Sequence, residues 1–262
     1  MEKIGIIICG ICGKMGSLIL KLASEMGEFV IKGGIERKDH PEIGKEIIPG
    51  VIISDNLDSI SNGKEVIVDF TTPEATVEFV KIAVKKGNKM VIGTTGFSEE
   101  QMDFIKESSQ KIPILISPNM SYGVNCLFKI VKFAAEILKG YETEIIEIHH
   151  HYKKDSPSGT AKKIAEIICK SRNYPCEEVL KYGRFGKTEK RRKEEIGMHS
   201  VRIGDIVGEH TVLFGGKGEV IEITHRSYNR ETFAIGALEA VKFIYKKEKG
   251  LYGMEEVING GE

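Results

Sequence analysis

The sequence predicts an α/β protein with two domains: a parallel sheet covered by helices on both faces, and an α+β domain built on a mixed sheet. Two observations predict this fold. Through the first 120 residues, short apolar runs alternate with amphipathic segments, which is typical of a parallel sheet. From Ile196 to His225, three strand-like runs follow one another without an intervening helix, which favours an antiparallel or mixed sheet.

Helices and strands alternate in the first part of the chain. The predicted strands are IGIIIC (4–9), FVIKGGI (29–35), EVIVDF (65–70), KMVIG (89–93) and IPILIS (112–117). One helix is expected over 14–26. Another begins at Pro73, which suits a first helical turn, and stops before Gly87. A third begins after Ser98, which forms a capping-box pattern with Gln101.

The pattern changes after Asn125. Helices are predicted over 126–138 and 157–170, strands over 144–152, 196–203, 206–214 and 219–225, and a last helix over 231–246. This last helix is expected to return to the first domain. We therefore place one domain at 1–121, completed by 229–262, and the other at 122–228. The charged run 187–195 is expected to be a solvated loop.

Composition excludes several classes of function. Lysine plus arginine and aspartate plus glutamate both number 38, so no overall charge favours nucleic acid or an acidic membrane. No apolar run reaches the roughly 18 residues of a membrane-spanning helix. The five cysteines are an odd number in a chain too long to need disulfide stabilisation, which favours a cytoplasmic protein.

The stretch CGICGKMG (9–16) places Gly10, Gly13 and Gly16 between a predicted strand and a helix. Glycine permits the tight turn, and the helix N-terminus attracts the pyrophosphate of a dinucleotide. Glu36, at the end of the second strand, can accept hydrogen bonds from a ribose, and Arg37 can meet a 2′-phosphate. The pattern therefore predicts a Rossmann-like nucleotide-binding domain.

The same stretch contains Cys9 and Cys12 with the Cys-x-x-Cys spacing of a redox pair or half of a zinc site. A redox pair needs an exposed attacking thiol, whereas Cys9 ends a predicted buried strand. A zinc site needs two further ligands, and the sequence has no second Cys-x-x-Cys. We therefore predict no metal and no functional dithiol here.

A second motif, HHHYKKDSPSGTA, covers 149–161. Ser156 is predicted to cap a helix, with Pro157 at its first position and Gly159 and Thr160 in its first turn. Free N–H groups there could hold a carboxylate or phosphate, although an ordinary capped helix is the alternative.

Three histidines precede this helix. On a strand, His149 and His151 would share one face and His150 would lie on the other, which is a poor set of metal ligands. Histidine beside Lys153 suits an acid or a charge stabiliser at neutral pH. The alternative is a pair of polar residues at an exposed strand end.

Nearly the whole sequence resembles the 4-hydroxy-tetrahydrodipicolinate reductase (dihydrodipicolinate reductase) family of the diaminopimelate route to lysine. The segments that carry the resemblance are DFTTPEAT (69–76), VIGTTGF (91–97), SPNMSYGVN (117–125), EIHHHYKKDSPSGTA (147–161), HSVRIGDIVGEHTVLF (199–214) and EITHRSYNRETFAIGAL (222–238).

The resemblance implies an NADH- or NADPH-dependent oxidoreductase that reduces a small cyclic dicarboxylate with loss of water. It implies that 1–121 binds the dinucleotide and that 122–228 binds the substrate and forms a homotetramer. The implied catalytic residues are His149 and Lys153, and the implied substrate contacts are His150, Gly159 and Thr160. The implied cofactor contacts are Gly10, Ile11, Cys12, Gly13, Lys14, Met15, Glu36, Arg37, Gly93, Thr94, Thr95, Ser117, Pro118, Asn119 and Met120.

Some positions depart from the family pattern. Lys14 replaces a common arginine, which keeps the charge but loses the guanidinium fork. Tyr122 and Ile203 replace smaller residues, and the loop 187–195 is richer in charge. Two alternatives stay open: a nucleotide-sensing protein without catalysis, and a semialdehyde or homoserine dehydrogenase. A semialdehyde dehydrogenase would need a nucleophilic cysteine, for which Cys126 is the candidate.

Overall fold

The computed structural model describes residues 3–260. Within them, the strands are β1 (Ile4–Cys9), β2 (Phe29–Ile35), β3 (Glu46–Ile48), β4 (Val51–Ser54), β5 (Val66–Asp69), β6 (Lys89–Ile92), β7 (Pro113–Ile116), β8 (Glu142–His149), β9 (Leu180–Tyr182), β10 (Ile196–Arg202), β11 (Gly208–Gly216), β12 (Glu219–Ser227) and β13 (Gly250–Tyr252). The helices are α1 (Lys14–Glu25), α2 (Leu57–Ile60), α3 (Pro73–Lys86), α4 (Glu99–Ser108), α5 (Tyr122–Ile137), α6 (Gly159–Arg172), α7 (Cys176–Val179), α8 (Glu231–Tyr245) and α9 (Met254–Ile258).

The chain divides into two compact units. The first unit comprises Met1–Tyr122 and Glu231–Glu262, and the second comprises Gly123–Arg230. The substrate-binding and tetramerisation roles of the second unit stay predictions. In the described chain, no helix combines the length and the apolar character needed to cross a membrane.

The first unit contains a sheet of eight strands in the order β13-β7-β6-β5-β1-β2-β4-β3. Every neighbouring pair in it is parallel except β3 and β4. This arrangement confirms the predicted Rossmann-like sheet. β1 is rich in isoleucine because a strand inside a parallel sheet is buried on both faces and so needs apolar side chains on both. Ile6 and Ile8 pack with residues of α1 and α8, whereas Ile7 and Cys9 pack with residues of α3 and α4.

Local signals explain where the helices of this unit begin and end. The Thr72 hydroxyl accepts from the Ala75 N–H at the start of α3, where Pro73 is the first residue. Gly87 ends that helix with a φ of 83° in the left-handed region. Ser98 and Gln101 form the predicted capping box of α4. The predicted starts and the α3 stop are confirmed.

The second unit contains a sheet of five strands in the order β12-β11-β8-β10-β9. β8, β10 and β9 run parallel, whereas β11 pairs antiparallel with both β8 and β12. The predicted mixed sheet is therefore confirmed. Residues of α5 and α6 bury one face of it, where Ile145, Val212 and Phe214 pack with Val131 and Ile164.

Two predictions in this unit are wrong. α6 is capped by Ser158, whose hydroxyl accepts from the Ala161 N–H at 3.2 Å, and not by Ser156. β8 ends at His149, so His150 and His151 are not on the strand and the alternation of faces does not extend to them. The peptide N–H groups of His150 and His151 instead donate to the carbonyls of Ile206 and Gly204.

The cysteines also differ from expectation. Cys169 near the end of α6 forms a disulfide with Cys176 at the start of α7, while Cys9, Cys12 and Cys126 are free. Neither the length of the chain nor an odd number of cysteines indicates which two thiols the fold brings within bonding distance.

The charged loop 187–195 is mostly exposed, as predicted, but Arg191 is partly buried. Its guanidinium donates to the Glu144 carboxylate and to the carbonyls of Thr143 and Glu195. The loop is therefore attached to the beginning of β8, the central strand of the second sheet.

Candidate active site

The loop after β1 has no room for side chains at two of its glycines. Gly10 has a φ of 76°, and a Cβ there would lie 2.9 Å from the Phe70 carbonyl oxygen. A Cβ on Gly16 would lie 2.1 Å from the Gly10 oxygen. The turn requires glycine at position 10 and the first turn of α1 requires it at position 16. Both glycines allow the strand, the loop and the helix to pack closely.

Glu36 reaches back to this loop from the end of β2. Its Oε1 accepts a hydrogen bond from the Cys12 N–H at 2.9 Å, and its Oε2 accepts from the Arg37 N–H at 3.3 Å. Arg37 is exposed and its Nε lies 3.2 Å from Asp39 Oδ1. The structure thus brings the acidic residue and the glycine loop together, with Lys14 exposed at the start of α1.

The N-terminus of α1 keeps its amides available. Gly13 is the N-cap residue, it is extended, and no side chain caps the helix. Uncapped N–H groups and the positive end of the helix dipole suit a phosphate. These features fit a dinucleotide held by residues 10–15 and Glu36.

The two other predicted cofactor segments leave the same edge of the sheet. Residues 93–95 follow β6 and residues 117–120 follow β7. Strand pairing aligns Cys9 with Asp69, Asp69 with Ile92, and Ile92 with Ile116. The loops that follow these strands therefore lie side by side at the carboxyl edge, where ligands bind in open α/β sheets.

Hydrogen bonds fix both of these segments. The Thr94 hydroxyl is buried, accepts from the Thr71 N–H at 3.0 Å and lies 3.2 Å from Asp69 Oδ2. Burial raises the pKa of Asp69, although hydroxyl donors oppose this. The Ser117 hydroxyl donates to the Asn119 carbonyl at 2.9 Å. Pro118 and Thr95 are exposed, and Met120 is buried.

The second unit holds the predicted catalytic histidine on β8. Glu147 and His149 lie on the same buried face of this strand, and His149 Nδ1 is 2.5 Å from Glu147 Oε2. Arg202, beside His149 on β10, donates from both of its terminal nitrogens to the Glu147 carboxylate, at 2.9 and 2.7 Å. The Ser158 N–H donates to Glu147 Oε1 at 3.1 Å. Glu147 is therefore a buried carboxylate held from several sides.

This environment sets the charges. Burial alone would raise the pKa of Glu147, but hydrogen bonds from Arg202, Ser200, His149 and Ser158 outweigh it and lower the pKa to about 2. Burial lowers the pKa of His149, and the Glu147 carboxylate opposes that effect. Glu147 is thus charged at neutral pH and orients the Nδ1 side of the His149 ring.

His210 lies behind this pair. Its ring centroid is 5.2 Å from that of His149, and its Nε2 lies 3.0 Å from the Ser158 hydroxyl. Burial lowers the pKa of His210 to about 3, with a further contribution from His149. A neutral His210 therefore holds the N-cap residue of α6 without adding a charge.

The remaining predicted residues of this unit surround the start of α6. Lys153 Nζ is 2.7 Å from Asp155 Oδ1, and one fifth of the lysine side chain is exposed. His150 Nδ1 is buried without a hydrogen-bond partner among the described residues. A Cβ on Gly159 would meet no atom within 4 Å, and Thr160 is half-buried beside it. The first turn of α6 therefore has open space at Gly159.

Sequence reasoning assigned no role to Glu147, Arg202, His210 or Asp69. All four lay within the segments that resemble the family, but their hydrogen bonds span up to 55 residues. Spacing along the chain gives no signal for contacts this distant, whereas Glu147 lies only two residues from His149 on the same strand face, which a strand pattern could have indicated.

The glycine loop at the carboxyl edge of a parallel sheet and the carboxylate–histidine pair of the second unit define the class: a two-unit oxidoreductase that uses a nicotinamide cofactor. Models of the dihydrodipicolinate reductase N-terminus and C-terminus match residues 4–120 and 123–258 respectively. The chain belongs to the dihydrodipicolinate reductase family.

Similar proteins agree with this assignment. The chain is 43% identical to a 4-hydroxy-tetrahydrodipicolinate reductase from Syntrophus aciditrophicus, over 96% of this chain and 97% of the relative. It is also 43% identical to one from Methanocaldococcus jannaschii, over 99% and 98%. A dipicolinate-bound dihydrodipicolinate reductase from Paenisporosarcina sp. TG-14 has a similar structure, with a TM-score of 0.81 and 29% identity over 97% of this chain and 99% of that one.

Proposed function

We propose that this protein reduces 4-hydroxy-tetrahydrodipicolinate to tetrahydrodipicolinate, with loss of water, in diaminopimelate and lysine biosynthesis. The observation that carries the proposal is His149, held by the buried Glu147 carboxylate close to the open first turn of α6. Full-length similarity to reductases of this name supports the same substrate.

The cofactor is a nicotinamide dinucleotide, which supplies hydride when bound. The uncapped start of α1 and the glycine turn fit its pyrophosphate, and Glu36 fits a ribose hydroxyl. We assign residues 10–15, Glu36, Arg37, 93–95 and 117–120 to it. Both NADH and NADPH should bind, because Glu36 accepts from an unmodified ribose while Arg37 can pair with a 2′-phosphate.

The substrate is a small dianion. In this proposal, the N–H groups at Gly159 and Thr160 hold one carboxylate at the positive end of α6. Lys153 supplies positive charge, and the unpartnered Nδ1 of His150 supplies a further polar contact. Asp155 holds the Lys153 ammonium in the absence of substrate.

Proton transfer falls to His149 and Lys153. Because Glu147 engages Nδ1, the nitrogen of His149 left to exchange a proton with substrate is Nε2. Gly208 leaves this nitrogen uncovered, since a Cβ there would lie 3.1 Å from it. Loss of water protonates the leaving hydroxyl and releases a proton from a ring carbon, and the ring that accepts the hydride takes up one further proton. General acid catalysis contributes about 10²–10⁴-fold. Burial lowers the pKa of His149, which favours its neutral form.

We also propose a homotetramer formed through the second unit. Only one face of its sheet is covered by α5 and α6. The other face exposes Val201 of β10 and Val220 of the edge strand β12. Apolar side chains on an open sheet face support self-association. Sedimentation equilibrium should give four times the chain mass, and a monomer at micromolar concentration would contradict this assembly.

The reaction is tested by following nicotinamide absorbance while dihydrodipicolinate synthase supplies the substrate. We expect absorbance to fall with either NADH or NADPH. Lys153→Ala should lose turnover while keeping its NADH affinity. Tight NADH binding without turnover in the unmodified protein would instead favour a sensor that kept the fold and lost catalysis.

A further inference from the structure

Three potential metal ligands meet beside the glycine loop of the first unit. Cys12, Glu36 and His40 each place one ligand atom within 4.8 Å of the other two, and each is half-buried. Thiolate, carboxylate and imidazole are the ligands that zinc and related divalent ions take in proteins. We propose that Cys12, Glu36 and His40 bind a divalent cation of the zinc type, and that this cation and the nucleotide exclude each other.

The backbone fixes the positions of these residues. β1 and β2 are adjacent parallel strands, with Cys9 opposite Ile35, so the residues that follow them emerge together. The Cys12 N–H bond orients the Glu36 carboxylate towards the loop. A turn closed by the His40 N–H and the Arg37 carbonyl, 2.9 Å apart, returns His40 to this carboxylate.

His40 Nδ1 accepts a long hydrogen bond from the Glu42 N–H, at 3.3 Å, which a metal bond to the imidazole could replace. The three side chains would leave a fourth tetrahedral position for water, as in open zinc sites.

Two carboxylates act on the Cys12 thiol, those of Glu36 and Glu42. Their negative charge attracts a divalent ion, and the charge of the ion in turn favours the thiolate that binds it. On binding, the thiol proton is released to solvent and Sγ bonds to the metal as a thiolate.

Exclusion follows from the shared Glu36, and this part rests on the proposed nucleotide site. A cation bound to the carboxylate occupies the acceptor that the adenosine ribose would use. By linkage, the nucleotide must weaken metal binding by the same factor as the metal weakens nucleotide binding. The enzyme would then lose cofactor affinity when such ions are free in solution.

Cobalt(II) tests the site directly, because a cobalt–thiolate bond gives a near-ultraviolet charge-transfer band that does not depend on activity. Protein kept reduced and free of chelator is titrated with cobalt(II) chloride alone. We expect one equivalent to produce the band and Cys12→Ala to abolish it. His40→Asn should weaken cobalt binding by at least about tenfold. Cys126→Ser, which removes a half-buried thiol of the second unit, is the matched control and should keep the band.

NADH competition is then measured in the same samples. At ten times the cobalt dissociation constant, the apparent dissociation constant of NADH should rise about elevenfold. His40→Asn should keep its turnover without metal and lose this effect. No band, or a band unchanged in both Cys12→Ala and His40→Asn, overturns the metal site. A normal band without competition overturns the exclusion and the assignment of Glu36 to the ribose, while leaving the metal site in place.

Discussion

Replacing Glu147 with glutamine tests how strongly the buried carboxylate holds the second unit together. Glutamine keeps the size of the side chain but removes its charge. Its amide group also puts a donor where the carboxylate accepts from Arg202, Ser158 and His149. The Arg202 guanidinium would then lose its partner in a largely buried place, which is costly.

The size of the effect follows from the pKa of Glu147, which the fold lowers from 4.5 to about 2. At about 1.4 kcal/mol per pH unit, this corresponds to about 3 kcal/mol of stabilisation of the charged form. Because the folded-state pKa is depressed, this stability is present above pH 4.5 and is lost as the pH falls towards 2. Glu147→Gln should therefore lose about 3 kcal/mol at pH 7, and the deficit should shrink below pH 4.5.

Urea unfolding measured at several pH values and one protein concentration checks this prediction. The chain contains no tryptophan, so circular dichroism is the suitable signal. Glu209→Gln is the control, because Glu209 pairs with the exposed Arg226 on the same sheet and its loss should barely move the midpoint. A deficit below about 1 kcal/mol at pH 7, or one that stays constant down to pH 3, would refute the reasoning.

Three further changes have defined outcomes. Arg37→Ala should raise the NADPH dissociation constant about tenfold more than that of NADH, with the adjacent Lys38→Ala as control; equal effects mean that Arg37 does not meet the 2′-phosphate. Gly16→Ala should abolish NADH binding in a calorimetric titration, because its Cβ would overlap the Gly10 oxygen, whereas Gly27→Ala has open space and should bind normally. Cys176→Ser should lower the free energy of unfolding by about 2 kcal/mol and make it insensitive to reductant; identical urea midpoints would contradict a stabilising disulfide.

The sequence predicted those parts of the fold that local interactions determine. The Ser98–Gln101 capping box and the stop at Gly87 each act within a few residues, and both are present. The run of isoleucines in β1 predicted a strand buried on both faces for the same reason, since each side chain only needs an apolar neighbour.

The start of α6 shows why the rest could not be predicted. Ser156 and Ser158 are equally good caps by residue type. Ser158 is selected by bonds to His210 and Glu147, which lie 52 and 11 residues away. The Glu147–Arg202 pair likewise depends on the parallel pairing of β8 and β10. These contacts exist only once the sheet has formed, so no spacing in the sequence encodes them.

The glycine loop depends both on local contacts and on contacts with residues distant in the sequence. Gly10 and Gly16 are fixed by close backbone contacts and Ile11 is buried, whereas the side chain at position 12 is half-exposed. The hydrogen bond from position 12 to the Glu36 carboxylate does not depend on the side chain at position 12, because its donor is the peptide N–H. The loop geometry therefore tolerates a cysteine, because the backbone of position 12, and not its side chain, meets Glu36. The Cys12 thiol needs a partner outside the glycine loop to bind a cation. The fold places His40, together with Glu36, close enough to be that partner.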